Sequence, residues 1–233
     1  MAASGNVNGP TVYPWPMKLY SYWRSSASFR VRIALGLKGL AYDYVPVHLA
    51  RGEQLAVAHR SLSADGLVPV LEVDGLQLTQ SMAIIEYLDE RFPEPVLLPS
   101  DAVGRAQVRA LAQTVACEIH PINNLRVLKY LKGPLQLEEE QKNTWYRHWA
   151  RQGLQAFERQ LEVLSQQGAR PAAWCFGAGP TLADCLLVPQ IYNAQRFDTP
   201  LDGLPLTMAA HAASMQLPAF MAAHPSQCPD CDA

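Results

Sequence analysis

The chain has 233 residues, of which 49% are hydrophobic and 17% are charged, a composition typical of a globular protein with room for two domains. Lys and Arg number 19 against 21 Asp and Glu, so the net charge of −2 provides no overall field for binding nucleic acid or an anionic membrane. No apolar run approaches the roughly 18 residues that a membrane span requires.

Residues 1–16 are predicted to form a flexible tail ahead of the folded chain. This segment contains three prolines and two glycines, and it lacks the basic residues and the long apolar core of a secretory signal. Without an export signal, the five cysteines are expected to be reduced thiols in a cytoplasmic protein.

A strand, a helix and a second strand are predicted next. Lys18–Trp23 is short and rich in aromatic residues, which favours a strand, and Ala41–Val47 is the second strand candidate. Between them, Phe29, Ile33 and Leu37 recur at helical spacing. Two strands joined through a helix in this way are expected to be parallel.

A weak helix, a hairpin and a stronger helix follow. The weak helical pattern covers Glu53–Leu62, and Asp74-Gly75 then separates two apolar runs. That pair is a strong hairpin signal, because both central residues of a type I′ turn need positive φ. Ile84 and Leu88 mark the apolar face of the next helix. This order predicts a mixed four-stranded sheet flanked by helices, which is a thioredoxin-like arrangement.

The remainder of the chain predicts helices only. Long helical patterns cover Val103–Leu131 and Glu138–Ser165, and a further helix follows Thr181, which forms a capping-box-like pair with Asp184. The predicted fold class is therefore α/β plus all-α. Its predicted parts are a flexible tail at 1–16, a thioredoxin-like domain at 17–91, a proline-rich linker at 92–101, an all-helical domain at 102–225 and a C-terminal tail at 226–233.

Cys228 and Cys231 have the CxxC spacing of redox and zinc sites. No helix can follow them to stabilise a thiolate, because only two residues remain, and no second pair of Cys or His completes a zinc site. We expect a loose tail without a function, and no bound metal.

Two adjacent serines stand where the first strand passes into the first helix. If the helix begins near Ser26, the hydroxyls of Ser25 and Ser26 lie beside outward-pointing N–H groups, where the helix dipole favours an anion. For a single serine, plain N-capping is the better explanation. The pair of serines, preceded by Arg24, favours an anion site.

Val68-Pro69 and Gln80-Ser81 predict two further parts of the same site. A proline at the start of a strand indicates a special turn, such as one with a cis bond, and would leave the Val68 backbone available to an extended peptide. Gln80 and Ser81 open a helix and suit a carboxylate. Each feature also has a purely structural explanation, but together they predict a peptide-like ligand with an anionic end.

Four segments carry a resemblance to a known family: SYWRSSASFRVRIAL, VPVLEVDGLQLTQSMAIIEYLDE, HPINNLRVLKYL and TLADCLLVPQIYNAQRF. They resemble the zeta class of the glutathione transferase superfamily, which contains the maleylacetoacetate and maleylpyruvate isomerases. The similarity runs from about Met17 to His224, and the SSxSxRVRIAL signature is specific to this class.

The resemblance implies that glutathione is the peptide-like ligand. Ser25 would donate to its sulfur, Gln54 would lie near its glycyl end, and the HPxNNxR helix would line the same cleft. The implied glutathione-binding residues are Ser25, Ser26, Gln54, Val68, Pro69, Gln80, Ser81, His120 and Asn124.

The resemblance also implies the reaction, a glutathione-dependent cis–trans isomerisation that converts a maleyl dioxo-diacid to its fumaryl isomer. Arg24, Ser25 and Ser26 would be catalytic, and Arg24, Arg126 and Arg196 would bind the carboxylate and enolate charge of the substrate. Without the family, Arg126 and Arg196 are better explained as surface ion-pair residues. His120 is equally explained as a satisfied histidine between domains, even with the family. Arg30 and Arg32 are expected to be structural.

The sequence departs from the family pattern at two places. Ala27 stands where many members have a cysteine, which puts side activities that need that thiol in doubt but leaves the isomerase hypothesis intact. Residues 63–66, Ser-Ala-Asp-Gly, replace the more usual Asn-Pro before Val68, and remove no group assigned above.

Two competing hypotheses remain open at this stage. One is a glutathione transferase or dehalogenase acting on small α-halo acids, and the other is a non-catalytic glutathione-fold binding protein. For the isomerase, maleylacetoacetate is expected over maleylpyruvate because its pathway, in tyrosine and aromatic compound catabolism, is the more widespread. A homodimer is the family expectation.

Overall fold

The computed structural model describes residues 16–232, which group into two compact units. The first unit is built from the residues up to Pro95 together with those from Ala222 onwards, and the second is Val96–Met221. The domain limits given above for residues 17–91, 92–101 and 102–225 stay predictions, and the tail predicted at 1–16 lies almost wholly outside the described residues.

The first unit contains the predicted mixed sheet of four strands. Its strands are β1 (Lys18–Ser21), β2 (Asp43–Pro46), β3 (Val70–Val73) and β4 (Leu76–Thr79), in the order β2-β1-β3-β4. β1 and β2 are parallel, and the other two pairs are antiparallel. Asp74 and Gly75 between β3 and β4 have φ values of 51° and 76°, as the predicted hairpin turn requires.

Three helices accompany this sheet: α1 (Ser26–Leu37), α2 (Val57–Arg60) and α3 (Ser81–Arg91). The segment predicted as one weak helix, Glu53–Leu62, is instead a 3₁₀ turn at Glu53–Leu55 and the short α2, and another 3₁₀ turn precedes it at Leu49–Arg51. Gly52 between the two turns has a φ of 79°, a left-handed conformation that ends the first turn.

The second unit is helical throughout its described elements, which confirms the predicted fold class. Its helices are α4 (Ala102–Gln113), α5 (Leu125–Lys132), α6 (Glu139–Gln166), α7 (Leu182–Arg196), α8 (Pro205–Ser214) and α9 (Pro218–Ala222), the last of which ends at the first residue of the other unit. Within residues 16–232, no helix is both long enough and apolar enough to cross a membrane.

The prediction of one continuous helix over Val103–Leu131 was wrong. α4 passes into a π-helical segment at Thr114–Ile119, and a 3₁₀ turn at Pro121–Asn123 separates that segment from α5. The break falls at Pro121 because proline has no N–H for the helical ladder and its ring clashes with the preceding turn.

The capping box predicted at Thr181 and Asp184 is confirmed, and it anchors the buried helix α7. The Asp184 carboxylate accepts hydrogen bonds from the Thr181 N–H (2.8 Å) and hydroxyl (2.8 Å) and from the Cys175 N–H (3.0 Å). Burial raises the pKa of Asp184, and these hydrogen bonds oppose the rise.

The end of the chain differs from the loose tail that the sequence predicted. Residues 222–232 belong to the first unit, where Ala223 and Cys228 are buried and the Ala223 carbonyl accepts a hydrogen bond from Arg32 (3.0 Å). The cause is non-local, because polar groups from the start of the chain bind backbone and carboxylate groups at its end.

We expect the substitution Gly153→Ala to destabilise the helical unit. A Cβ at this position of α6 would overlap the Ile119 side chain, so Ile119 and the π-helical segment would have to shift. Overpacking of this kind costs about 1–3 kcal/mol of unfolding free energy, which urea denaturation followed by circular dichroism would measure. Gly179→Ala is the matched control, because nothing lies within 4 Å of the added Cβ; an equal loss in both variants would contradict the packing explanation.

Candidate active site

Ser25 lies at the junction of β1 and α1, where it is the N-cap of the helix. Its Oγ accepts a hydrogen bond from the Ser28 N–H (3.2 Å), and its own N–H donates to the Tyr22 carbonyl (2.9 Å). Since Oγ acts here as an acceptor, the hydroxyl hydrogen is left to point at an anion. Capping and anion binding, the two explanations that the sequence left open, are therefore compatible.

The residues beside Ser25 are held in different ways. Ser26 is the first residue of α1 and is buried, whereas Arg24 is half-buried. The Arg24 guanidinium lies 4.8 Å from the centre of the Trp23 ring and donates to the Tyr22 hydroxyl (3.1 Å). Aromatic contact of this kind restricts the guanidinium to a few orientations and leaves donors for a ligand.

A second helix N-terminus, that of α3, is supported by a buried cation. Gln80 is its N-cap and Ser81 its first residue, and the Ser81 Oγ accepts a hydrogen bond from the Arg30 guanidinium (3.2 Å). Arg30 is only 2% exposed. The helix dipole and this cation together favour a carboxylate at the start of α3.

Val68, Pro69 and Gln54 also belong to the first unit. The Val68-Pro69 bond is cis, as the sequence suggested, and within residues 16–232 neither the N–H nor the C=O of Val68 pairs with another backbone group. In the same described range, the buried Oε1 atom of Gln54 has no hydrogen-bond partner. Gly66, with a φ of 59°, lets the two loops approach, because a Cβ there would lie 3.0 Å from the Gln54 carbonyl oxygen.

Together these features have the chemistry expected of a site for a peptide with negative charge. Two helix N-termini offer anion pockets, and the Val68 backbone and the Gln54 side chain offer hydrogen-bonding groups that no residue within 16–232 uses. All eight predicted residues of this unit belong to these features: Arg24, Ser25, Ser26, Gln54, Val68, Pro69, Gln80 and Ser81.

In the helical unit, the break after α4 brings three predicted residues together. His120 ends the π-helical segment, and Asn124 is the N-cap of α5, where its Oδ1 accepts from the Arg126 N–H (3.1 Å). The Asn124 Nδ2 lies 3.4 Å from the His120 Nε2. Arg126 itself is exposed in the first turn of α5.

Arg196, the fourth predicted residue of this unit, lies at the C-terminal end of α7. Its guanidinium donates to the Asn193 side chain (3.2 Å) and lies over the rings of Tyr192 (5.8 Å) and Phe197 (5.7 Å). The Phe197 ring is in turn stacked on the Tyr146 ring, with ring centres 3.8 Å apart. This exposed arginine therefore stands on an aromatic platform.

Sequence reasoning missed one contributor to the first unit's site, Arg30, which it treated as structural. The structure places Arg30 under Ser81, 51 residues further along the chain. Two arginines, Arg30 and Arg32, within a helix rich in apolar residues are the signal that was available, but only the packing of α1 against α3 identifies the partner of Arg30.

The chain matches the family model described as the glutathione S-transferase N-terminal domain over residues 15–90. It is 48% identical to a maleylpyruvate isomerase from Ralstonia sp over 92% of this chain and 99% of the relative. It is also 48% identical to a maleylacetoacetate isomerase from Pseudomonas aeruginosa, over 92% of this chain and 98% of that protein.

Two solved structures resemble the chain closely. A holo structure of a bacterial maleylpyruvate isomerase, described as a zeta-class glutathione S-transferase, superposes with a TM-score of 0.87 and 47% identity over 91% of this chain and 99% of the other. A maleylacetoacetate isomerase from Anaeromyxobacter dehalogenans 2CP-1, with dicarboxyethyl glutathione and citrate in its active site, gives 0.82 and 43% over 94% and 99%.

We expect Gln80→Gly to stabilise the protein relative to Gln80→Ala. Gln80 has a φ of 68° and a ψ of 113°, a conformation that side chains with a Cβ rarely adopt and that costs about 1–3 kcal/mol. Glycine adopts it without strain, so the midpoint of thermal unfolding should be higher for Gly than for Ala. Equal midpoints would show that this backbone conformation is not strained.

Proposed function

The chain belongs to the zeta class of the glutathione S-transferase family, and from this premise we propose that it is a glutathione-dependent cis–trans isomerase. Its substrate is maleylacetoacetate or maleylpyruvate, and the product is the fumaryl isomer. Of the two, we propose maleylacetoacetate. The observation that carries the proposal is identity of 48% over nearly the full length of two isomerases of this type.

The residues of the first unit fit glutathione. The start of α3, with Ser81 and the buried Arg30, suits the γ-glutamyl carboxylate. Within residues 16–232, neither the Val68 backbone nor the buried Oε1 of Gln54 has a hydrogen-bond partner. The Val68 backbone suits the central peptide group, and the Gln54 oxygen suits an N–H near the glycyl end. In this arrangement the Ser25 hydroxyl donates to the glutathione sulfur.

Bound glutathione supplies the thiolate, which adds reversibly to the cis double bond so that rotation can occur. A thiol with a pKa of about 8.5 is only roughly 3% ionised at pH 7. Lowering that pKa by about two units takes about 2.7 kcal/mol, which a helix N-terminus and a hydroxyl donor provide together. Ser25 has both features, because it caps α1 and its Oγ acts there as an acceptor, which leaves the hydroxyl hydrogen to donate.

Arginines bind the charges of the dioxo-diacid in this proposal. Arg24 is oriented by Trp23 and Tyr22, and Arg196 by its aromatic platform. Arg126, in the first turn of α5, is the third. Guanidinium groups suit this task because their planar donors match a carboxylate or an enolate in two-point contacts.

The test is a rate measurement on both diacids, with and without glutathione, while the fumaryl product and free glutathione are followed. We expect turnover that requires glutathione and leaves its concentration unchanged. Stoichiometric loss of glutathione would favour a conjugating transferase, and the absence of glutathione-dependent turnover on both diacids would refute the proposal. The ratio of the two rates decides between the substrates.

Ser25→Ala should lower kcat/KM by about 10- to 100-fold at pH 7, since a hydrogen bond to a charged group contributes about 1.5–3 kcal/mol. The pKa of the bound glutathione thiol should rise in parallel, as measured by the ultraviolet absorbance of the thiolate. Ser165→Ala is the control, because the Ser165 hydroxyl on α6 donates to the Leu161 carbonyl and accepts from the Arg170 guanidinium. An active Ser25→Ala enzyme with an unchanged thiol pKa would exclude this role.

Arg196→Ala and Arg126→Ala should each raise the KM for the diacid about tenfold, which corresponds to about 1.4 kcal/mol, without changing the KM for glutathione. The matched control is Arg147→Ala, which removes a surface arginine paired with Glu140 on α6. If Arg147→Ala has the same effect, the loss reflects general surface charge and not substrate binding.

We also propose that the enzyme is a homodimer in the cytoplasm. The homodimer follows the expectation for the class. The five free cysteines agree with a reducing compartment.

A further inference from the structure

The turn that presents Ser25 is bound on several sides. Tyr22, Trp23, Arg24 and Ser25 form a tight turn closed by the hydrogen bond from the Ser25 N–H to the Tyr22 carbonyl (2.9 Å). The Trp23 carbonyl, in the middle of this turn, accepts from the Arg32 guanidinium (3.1 Å). The position of Ser25 thus depends on what holds Trp23.

The N–H group of Trp23 is bound by a residue near the end of the chain. The Trp23 N–H donates to the Asp230 Oδ2 (3.1 Å), although 207 residues separate the two. The other carboxylate oxygen of Asp230 accepts from the Tyr44 hydroxyl (2.6 Å). A carboxylate bound at both oxygens has a fixed orientation, and Tyr44 on β2 ties it to the sheet.

The contacts of Asp230 are stable at physiological pH, because its donor Tyr44 stays protonated and neighbouring residues of the segment are also anchored. Burial, followed by the hydrogen bond to Asp230, raises the pKa of Tyr44, so its hydroxyl stays a neutral donor at physiological pH. The segment itself is anchored on either side of Asp230, because the Ala223 carbonyl binds Arg32 (3.0 Å) and the Asp232 carboxylate binds the His48 ring (2.9 Å).

We propose that Asp230 is a positioning residue for the thiolate site, acting through the Trp23 N–H to fix the turn that carries Arg24 and Ser25. The inference rests on the proposed function, because it assumes that glutathione sulfur lies at Ser25. The C-terminal segment that looked like a silent CxxC tail then contributes to catalysis through the aspartate between its two cysteines.

The direction in which the pKa of the glutathione thiol changes distinguishes a positioning role of Asp230 from a purely electrostatic one. A carboxylate near a thiolate disfavours the anion, so loss of the Asp230 charge by itself would lower the pKa of the glutathione thiol. Loss of positioning has the opposite effect, because a displaced Ser25 stabilises the thiolate less well. Removal of the whole Asp230 side chain and removal of its charge alone should therefore change the pKa of the glutathione thiol in different ways.

The experiment compares Asp230→Ala and Asp230→Asn in the full-length chain, with the thiolate absorbance of bound glutathione titrated against pH. For Asp230→Ala we expect the thiol pKa to rise by about half a unit to one unit and, from a starting pKa of about 6.5, kcat/KM at pH 7 to fall by about 1.5- to threefold. Asp230→Asn keeps an acceptor for the Trp23 N–H and should show a thiol pKa at or below that of the wild type. Gln227→Ala, an exposed residue of the same segment, is the control.

A further variant covers the case in which Asp230→Ala fails to fold. Tyr44→Phe removes one of the two donors to Asp230 and should raise the thiol pKa in the same direction but by less. A wild-type or lowered thiol pKa in Asp230→Ala, or in Tyr44→Phe if the alanine variant does not fold, would overturn the inference. A wild type that ionises glutathione but isomerises neither diacid would refute the proposed function alone, and a wild type that does not bind glutathione would refute both.

Discussion

The buried guanidinium of Arg32 is the interaction on which the first unit depends. It donates to the Ser21 hydroxyl (3.2 Å) and to the carbonyls of Tyr22 (3.4 Å), Trp23 (3.1 Å) and Ala223 (3.0 Å). A buried cation is costly unless its donors are satisfied, and each buried carbonyl left without a donor costs about 1–3 kcal/mol. One side chain therefore joins the end of β1, the turn before α1 and the end of the chain. Few other arrangements of that turn would satisfy the same donors.

The surroundings of the protein's own thiols differ from those proposed for the glutathione thiol. Burial raises the pKa of Cys175 and of Cys228, which keeps both as unreactive thiols. Ser25, by contrast, stands at a helix N-terminus, where an anionic sulfur is favoured. This contrast explains why Ala27 can replace the cysteine of other family members: the nucleophile belongs to the ligand, and the protein supplies the surroundings that ionise it.

Sequence reasoning succeeded where a feature is set by neighbouring residues. The Asp74-Gly75 hairpin, the Thr181–Asp184 capping box and the start of α1 after Ser25 are all decided within a few positions. It failed where the partner is distant, because nothing near Asp230 indicates that its carboxylate binds Trp23. The family resemblance identified the candidate site residues, but it could not show how Arg30 or the chain end supports them.

The helical unit shows how an irregular segment is kept in place at a site. In one continuous α-helix, Arg126 would lie about 240° around the axis from His120, because each residue turns by roughly 100°. The break at Pro121 removes that constraint and makes Asn124 the N-cap of a new helix. α6 supports the break from one side, since the Trp145 ring donates to the Ile122 carbonyl (3.0 Å) and the Gln160 side chain to the Thr114 hydroxyl (2.8 Å). Irregular backbone persists where such contacts satisfy its polar groups, and the Trp145 hydrogen bond does so for the Ile122 carbonyl, between His120 and Asn124.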